Sequence, residues 1–473
     1  MIIYSFKYIV SFFILFLFYW LLCRTKTTQN WFLLVISYVF YGLWDWRCVP
    51  LLFATSLVAY GAGIYFKRTV WSENVLLHKS SRWLVSCGAI VFSLGILGFF
   101  KYYNFFLQSI SNLTGNGFEP LNIILPLGIS FYTFSAISYV VDTYQKKLEP
   151  TTDFTAAMLY TSLFPAILSG PIHKATEQLP QYLKKREFDY DLVNHGFKDY
   201  VWGAFMKLCI ADRLGMFVDA VYGNIGNHSG TTLLITSVAY TIQIYADFAG
   251  YSLMAIGCGK MFGIKLQNNF DRPYFAKTIT EFWSKWHMSL TGWFKNYVYF
   301  PLGGNRVSKG RWIFNIFVVF LLSGLWHGAA YTFIIWGAIH GVAQVIEKLL
   351  YGKKIKDISN KVTIANILRV LLTFTIVNFA WIFFRLPSIS EVFTVIWKIF
   401  TDHGGLFTDS TLFLAMISLV ILFIKDASEQ FNCRLKLFYS KYTAVRYLSV
   451  SLLICFILLT GVLEGGQFIY FQF

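Results

Sequence analysis

What the chain does not contain narrows its chemistry first. Its seven cysteines (Cys23, Cys48, Cys87, Cys209, Cys258, Cys433 and Cys455) stand singly, without the paired spacing of a metal site or a redox couple. They are assigned no chemistry. No carboxylate and histidine fall at the HExxH-type spacing of a metal site, so no metal is expected. There is no GxSxG elbow and no phosphate loop, which argues against serine hydrolases of that type and against P-loop enzymes. No internal repeat is found, whereas a transporter or flippase predicts paired broken helices in two halves; that class is the weaker alternative. No small-residue cleavage site follows the first apolar run at Leu22 and Cys23, so this run reads as an uncleaved span.

What is there is apolar. Of 473 residues, 56% are hydrophobic and 20% aromatic, with a mean hydropathy of +0.55, far above the composition of a soluble domain. Segments of membrane-spanning length recur near 4–22, 30–46, 50–66, 83–100, 122–141, 199–221, 232–257, 312–326, 329–347, 363–384, 410–424 and 447–463. No long polar linker separates them, so residues 1–473 read as one integral domain. The net charge of +16 sits in short loops between spans, which excludes a nucleic-acid face and fits membrane topology. The basic loops (Arg24/Lys26, Lys67/Arg68/Lys79/Arg82, Lys146/Lys147, Lys184/Lys185/Arg186, Arg306/Lys309/Arg311, Lys353/Lys354/Lys356/Lys361, Arg434/Lys436/Lys441) fall on one side when spans alternate, and that side is expected to be cytoplasmic. Residues 385–409 read as an outer loop with a short interfacial helix.

Two stretches are apolar without reading as spans. Residues 163–172 carry Pro165, Gly170 and Pro171, so a re-entrant segment is expected rather than a crossing. Residues 269–306 interleave Trp283, Trp286, Trp293, Phe294, Tyr297 and Tyr299 with Lys277, Lys285, Lys295 and Arg306, a pattern of helices lying in or dipping from the cytoplasmic interface.

Three ionisable residues then stand out. His327, within Ser323 to Ala330, places an imidazole between two apolar segments, with small residues around it that let backbones or a ligand approach. It is either a cavity-lining group or a histidine bonded between helices. His287 follows Trp283 and Ser284 by one helical turn if its stretch is helical; on its own it also fits an interfacial histidine beside headgroups. Asp247 puts a carboxylate inside a span and needs a partner there, structural or catalytic. Lys207, Asp212 and Arg213 read as mutually neutralising packing elements. His340 is expected on a different helical face from His327. His78, His195, His228 and His403 read as solvated, and His173, at the broken segment, as intermediate.

The stretch FWSKWHMSLTGWFKNYVYFPLGGNR (Phe282 to Arg306), followed by SGLWHGAAYTFIIWGAIHG (Ser323 to Gly341), resembles the paired signature of the membrane-bound O-acyltransferase family. LPLGISFYTFSAISYVVDTY, SGPI, YADFAGYSLMAIG and NFAWIFFR support it in the family's order. The PLGGNR ending and the WHGA form are most similar to the bacterial alginate O-acetyltransferase branch; His173 departs from the basic residue often found there after GPI. The resemblance implies an all-α polytopic membrane fold, with about 10–12 transmembrane helices plus re-entrant and interfacial helices. It implies His327 as the catalytic histidine and His287 as the second site position, with Trp286, Trp326, Ser289, Asn296 and Asp247 as substrate-binding candidates. No bound cofactor is implied; the donor is an acyl thioester, acetyl-CoA or an acyl carrier protein. An exported SGNH-type partner and the lipid bilayer are the implied partners, in a bacterial cytoplasmic membrane. D-alanyl transfer to teichoic acid through a carrier protein is the enzymatic alternative. With His287 on a segment entering from the cytoplasmic side and His327 near the outer end of a span, a central funnel joining the two is expected, through which an inner donor meets an outer hydroxyl.

Overall fold

A computed structural model describes residues 3–70, 79–115, 117–352, 361–431 and 437–463. His78, Cys433, Lys353, Lys354, Lys356, Arg434 and Lys436 lie outside the described residues. Every regular element among the described residues is a helix, and no strand is present among them. Seven helical stretches among them are long and apolar enough to cross a membrane, two of these merging consecutive helices over residues 26–69 and 81–114. Phe6–Leu22 is a shorter apolar helix.

The chain divides into two compact units. The first, Met1–Tyr200 with Met254–Gln267, contains α1 (Phe6–Leu22), α2 (Lys26–Asp45), α3 (Val49–Val70), α4 (Lys79–Leu97), α5 (Tyr103–Thr114), α6 (Ile129–Tyr144), α7 (Phe154–Ser162), α8 (Ala175–Tyr182) and most of α9 (Tyr190–Phe205). The prolines interrupt the helix as the sequence predicts: residues 163–172 are non-helical and all buried. Their irregular backbone is satisfied inside the protein, Phe164 N–H donating to Ser37 Oγ at 3.0 Å, and Tyr160 Oη donating just beyond them to the His173 carbonyl at 2.7 Å. Non-helical backbone at membrane depth is tolerated on those terms. Arg186, counted among the loop cations, is instead buried. Its guanidinium donates to Tyr19 Oη at 2.6 Å and Asn30 Oδ1 at 2.8 Å, tying α1 and α2 together. A cation so bound is a packing element rather than a topology signal.

The second unit, Val201–Leu253 and Asn268–Phe473, contains α10 (Asp212–Tyr222), most of α11 (Gly230–Met261), α12 (Ile279–Lys285), α13 (Met288–Phe294), α14 (Lys309–His327), α15 (Tyr331–Tyr351), α16 (Ile364–Arg385), α17 (Ile389–Thr401), α18 (Ser410–Gln430) and α19 (Thr443–Thr460). In lipid, helices associate through close packing and interhelical hydrogen bonds rather than through the hydrophobic effect, and both devices are present. Any Cβ at Gly324 would overlap the Phe333 carbonyl, and any at Gly337 the Phe320 carbonyl, so α14 and α15 pack backbone to backbone. Asn378 on α16 bonds Thr241 Oγ1 at 2.7 Å and Ser237 Oγ at 3.0 Å on α11. As expected for residues 385–409, a short helix with one apolar face, α17, lies there, burying Val392, Val395 and Ile399.

Candidate functional site

His327 is the last residue of α14. The helix stops because Gly328 turns extended (φ −160°, ψ 149°), and a Cβ there would overlap the Phe333 ring. The chain restarts as α15 three residues later, which lays Trp336 against His327 with ring centroids 5.1 Å apart. Trp326 at 4.9 Å and Phe384 of α16 at 5.2 Å complete an aromatic box around an imidazole that is 2% exposed. Trp381, also of α16, stacks on Trp336 at 5.5 Å. Such ring pairs contribute about 0.5–1.5 kcal/mol each beyond area burial, enough to hold the imidazole in one orientation.

His287 reaches the same place by another route. The helical face drawn for it from sequence does not exist: α12 ends at Lys285 and α13 begins at Met288. His287 lies between them at φ 41°, ψ 54°, a left-handed conformation that a non-glycine residue adopts only under outside constraint. The constraint is Asn269. Its carbonyl accepts from Met288 N–H at 2.9 Å. Its Oδ1 meets His287 Nδ1 at 3.2 Å, Ser289 N at 3.2 Å and Ser289 Oγ at 2.7 Å, and its Nδ2 donates to Ser252 Oγ at 3.2 Å. The start of α12 is itself fixed from α15, where the Glu347 carboxylate accepts from Ile279 N–H and from Thr280 N–H (3.1 Å). A carboxylate at a helix N-terminus satisfies otherwise unpaired donors. His287 is 0% exposed, so it is not an interfacial histidine beside headgroups.

The two imidazoles thus share one site. Their ring centroids are 6.4 Å apart. Trp326 lies 5.8 Å from His287, and Phe248 of α11 lies 4.6 Å from it. The funnel expected to join the two histidines has no long distance to bridge, since the rings lie side by side. His340 stands one ring away from His327. Because the helix breaks at His327, α15 folds back, and His340 sits 5.0 Å from Trp336, the ring that covers His327. Its Nδ1 accepts from the Trp283 indole at 3.3 Å. His340 Nε2 and the Trp336 indole N–H are buried with no hydrogen-bond partner among the described residues.

The remaining sequence candidates separate. Trp286 is fully buried against Trp381 (5.0 Å), Trp326 bridges the histidines, and Ser289 is bound to Asn269. Asp247 is half of a different device: Lys207 Nζ lies 2.7 Å from Asp247 Oδ1 and 2.7 Å from Asp212 Oδ1. Gly250 permits this, since a Cβ there would stand 2.7 Å from the Gly203 carbonyl. Arg213 takes no part in that triad and donates to the Thr460 carbonyl at 2.6 Å. Asn296, half-buried in the π-helical turn Lys295–Tyr299, has no hydrogen bond or ring contact with either imidazole among the described residues. Sequence reasoning missed Asn269, Phe248 and Glu347, and gave no role to Trp336, Trp381 and Phe384, although the last three lie inside the motifs quoted above. No group of His, Cys, Asp or Glu among the described residues is arranged to hold a metal ion.

The model of the membrane-bound O-acyltransferase family matches residues 158–385, a span holding both histidines. The chain is 37% identical to a protein of Pseudomonas syringae pv. tomato named "Probable alginate O-acetylase AlgI", over 76% of this chain and 67% of that protein. It is 35% identical to the "Peptidoglycan O-acetyltransferase" of Helicobacter pylori, over 77% of this chain and 72% of that protein. Identity to the "Teichoic acid D-alanyltransferase" of Bacillus subtilis is 29%, over 65% of this chain and 79% of that protein. With signature, fold class and relatives in agreement, the chain belongs to the membrane-bound O-acyltransferase family and is a multi-pass membrane O-acyltransferase.

Proposed function

We propose that this enzyme is an O-acetyltransferase acting on a surface polysaccharide or cell-wall glycan, with His327 as the general base of one acyl-transfer site that His287 shares. The observation that carries the reading is the pair itself: two buried imidazoles 6.4 Å apart inside an aromatic box. A neutral imidazole takes the proton of an acceptor hydroxyl as its oxygen attacks a thioester carbonyl. The tetrahedral oxyanion collapses, the C–S bond breaks, and the proton passes from His327 to the departing thiolate. The hydroxyl is the nucleophile, so no cysteine is required. Trp286, Trp326 and Ser289 wall the site, and exclusion of water by these rings favours transfer over hydrolysis. Asn296 and Asp247, the other two binding candidates, are assigned no contact with the reacting groups.

The donor is an acyl thioester from the cytoplasm, acetyl-CoA or an acyl carrier protein. The acceptor lies on the far side of a bacterial cytoplasmic membrane, where an exported SGNH-type protein completes transfer to the sugar. The chain acts as one integral domain. Acetyl rather than D-alanyl transfer is favoured because relatives named for acetylation share 33–37% identity, against 29–30% for those named for D-alanyl transfer. Ester analysis of the surface glycans of a deletion strain tests this. Loss of acetyl esters, restored by the gene, supports the reading; loss of D-alanyl esters with acetyl esters intact overturns it.

A further inference from the structure

We infer that Asn269 is a positioning residue that locks His287 in the tautomer carrying its proton on Nδ1, so that Nε2 faces the chemistry as a proton acceptor. The inference rests on the acyl-transfer reading only for its consequence; the tautomer is argued from the contacts alone.

One donor in this network cannot change its role. The main-chain N–H of Ser289 only donates, and it points at Asn269 Oδ1 at 3.2 Å. The atom at that position is therefore the amide oxygen, not the amide nitrogen. The other end of the same amide agrees, since Asn269 Nδ2 has Ser252 Oγ to donate to at 3.2 Å. An amide oxygen only accepts, so the ring nitrogen 3.2 Å from it, His287 Nδ1, carries the hydrogen. His287 is fully buried among Phe248, Trp326 and His327, surroundings that favour an uncharged ring. A neutral imidazole with its hydrogen on Nδ1 has a lone pair on Nε2. Such a ring accepts a proton or a hydrogen bond there; it does not donate to an oxyanion. Of the three tasks open to the second histidine (oxyanion donor, donor-orienting group, proton carrier), the first is removed.

Asn269 does a second thing through its main chain. Its carbonyl holds Met288 N–H at 2.9 Å, tethering the residue after the left-handed His287 (φ 41°). That tether involves only the main chain and survives Asn269→Leu, whereas the side-chain contacts with His287 Nδ1 and Ser289 N–H are lost together. The titratable groups beside the residues that contact His287 are His327 on α14 and Asp247 on α11, the latter engaged by Lys207.

The test is nitrogen NMR of the full-length protein labelled with ¹⁵N-histidine, in lipid nanodiscs, with the His287 signal assigned by its loss in His287→Gln. A protonated Nδ1 and a pyridine-type Nε2 are expected, and a protonated Nε2 overturns the inference. This readout does not depend on which glycan is acetylated, so failure of the acetyltransferase reading leaves it standing and the reverse also holds. Two variants connect it to turnover. Asn269→Leu removes the acceptor; the tautomer signature is expected to be lost, with kcat down by about tenfold or more and KM for the thioester changed by less than about twofold. Asn269→Asp keeps the acceptor but adds a negative charge beside Nδ1. That favours imidazolium, raises the pKa of His287, and moves the acid limb of kcat/KM to higher pH. An Asn269→Leu protein that keeps the Nδ1–H signature, or an Asn269→Asp protein with the wild-type pH profile, contradicts the inference.

Discussion

At Lys207 one ammonium lies 2.7 Å from Asp212 and 2.7 Å from Asp247, all three groups almost wholly buried. Two buried carboxyl groups share one cation where charge is costly, so the lysine is what makes the triad tolerable. Lys207→Met is expected to destabilise the protein by about 3–5 kcal/mol, because it strands two buried acids. Thermal unfolding in detergent, followed by size-exclusion fluorescence, measures this. Asp247→Asn leaves a neutral Lys207–Asp212 pair and is expected to keep both fold and transfer; loss of transfer with an unchanged melting temperature would return Asp247 to the substrate site. Sequence predicts that Asp247 needs a partner but groups Lys207 and Asp212 with Arg213, not with Asp247. Which cation reaches the carboxylate depends on the π-helical turn Met206–Ala211, a backbone detail with no sequence marker.

The elements were legible to different degrees, for reasons that differ. The α14–α15 hairpin follows from Gly324, Gly328 and Gly337, small residues whose spacing anticipates close packing, and the broken segment at 163–172 follows from its prolines. The α12–α13 break does not follow from anything local. Residues 281–290 read as a continuous helix, and the left-handed turn at His287 exists because Asn269, distant along the chain, holds both sides of it. His340 needs the fold in the same way: the sequence separates the spans on either side of Gly328, but not the packing that sets His340 against Trp336. Two element-scale predictions follow from these contacts. Gly337→Leu drives a side chain into the Phe320 carbonyl and is expected to abolish correctly folded protein, seen as aggregation on size-exclusion chromatography, whereas Gly310→Ala, with open space around it, is expected to behave as wild type. Glu347→Gln weakens the cap of α12 by about 0.5–2 kcal/mol. Because α12 leads into His287, turnover is expected to fall more than the melting temperature suggests; equal retention of both would detach Glu347 from the site.

For the whole molecule, composition alone gives a polytopic membrane protein, and the physics of a buried imidazole gives a location. Neither gives a reaction: that came from the ordered motifs and from relatives that share them over about three quarters of the chain. The structure adds that the His287 and His327 rings lie side by side, one from a turn between two short helices and the other from the end of a longer one. The central claim, that this site transfers acyl groups with His327 as its base, is tested most directly by one comparison. Acetyl-ester content of the surface glycan is measured in a deletion strain complemented with wild type, His327→Ala or Gly310→Ala, with membrane levels of each protein quantified in parallel. The account predicts full acetylation with wild type and Gly310→Ala, and none above the deletion background with His327→Ala at equal membrane abundance. Wild-type acetylation by His327→Ala would contradict it.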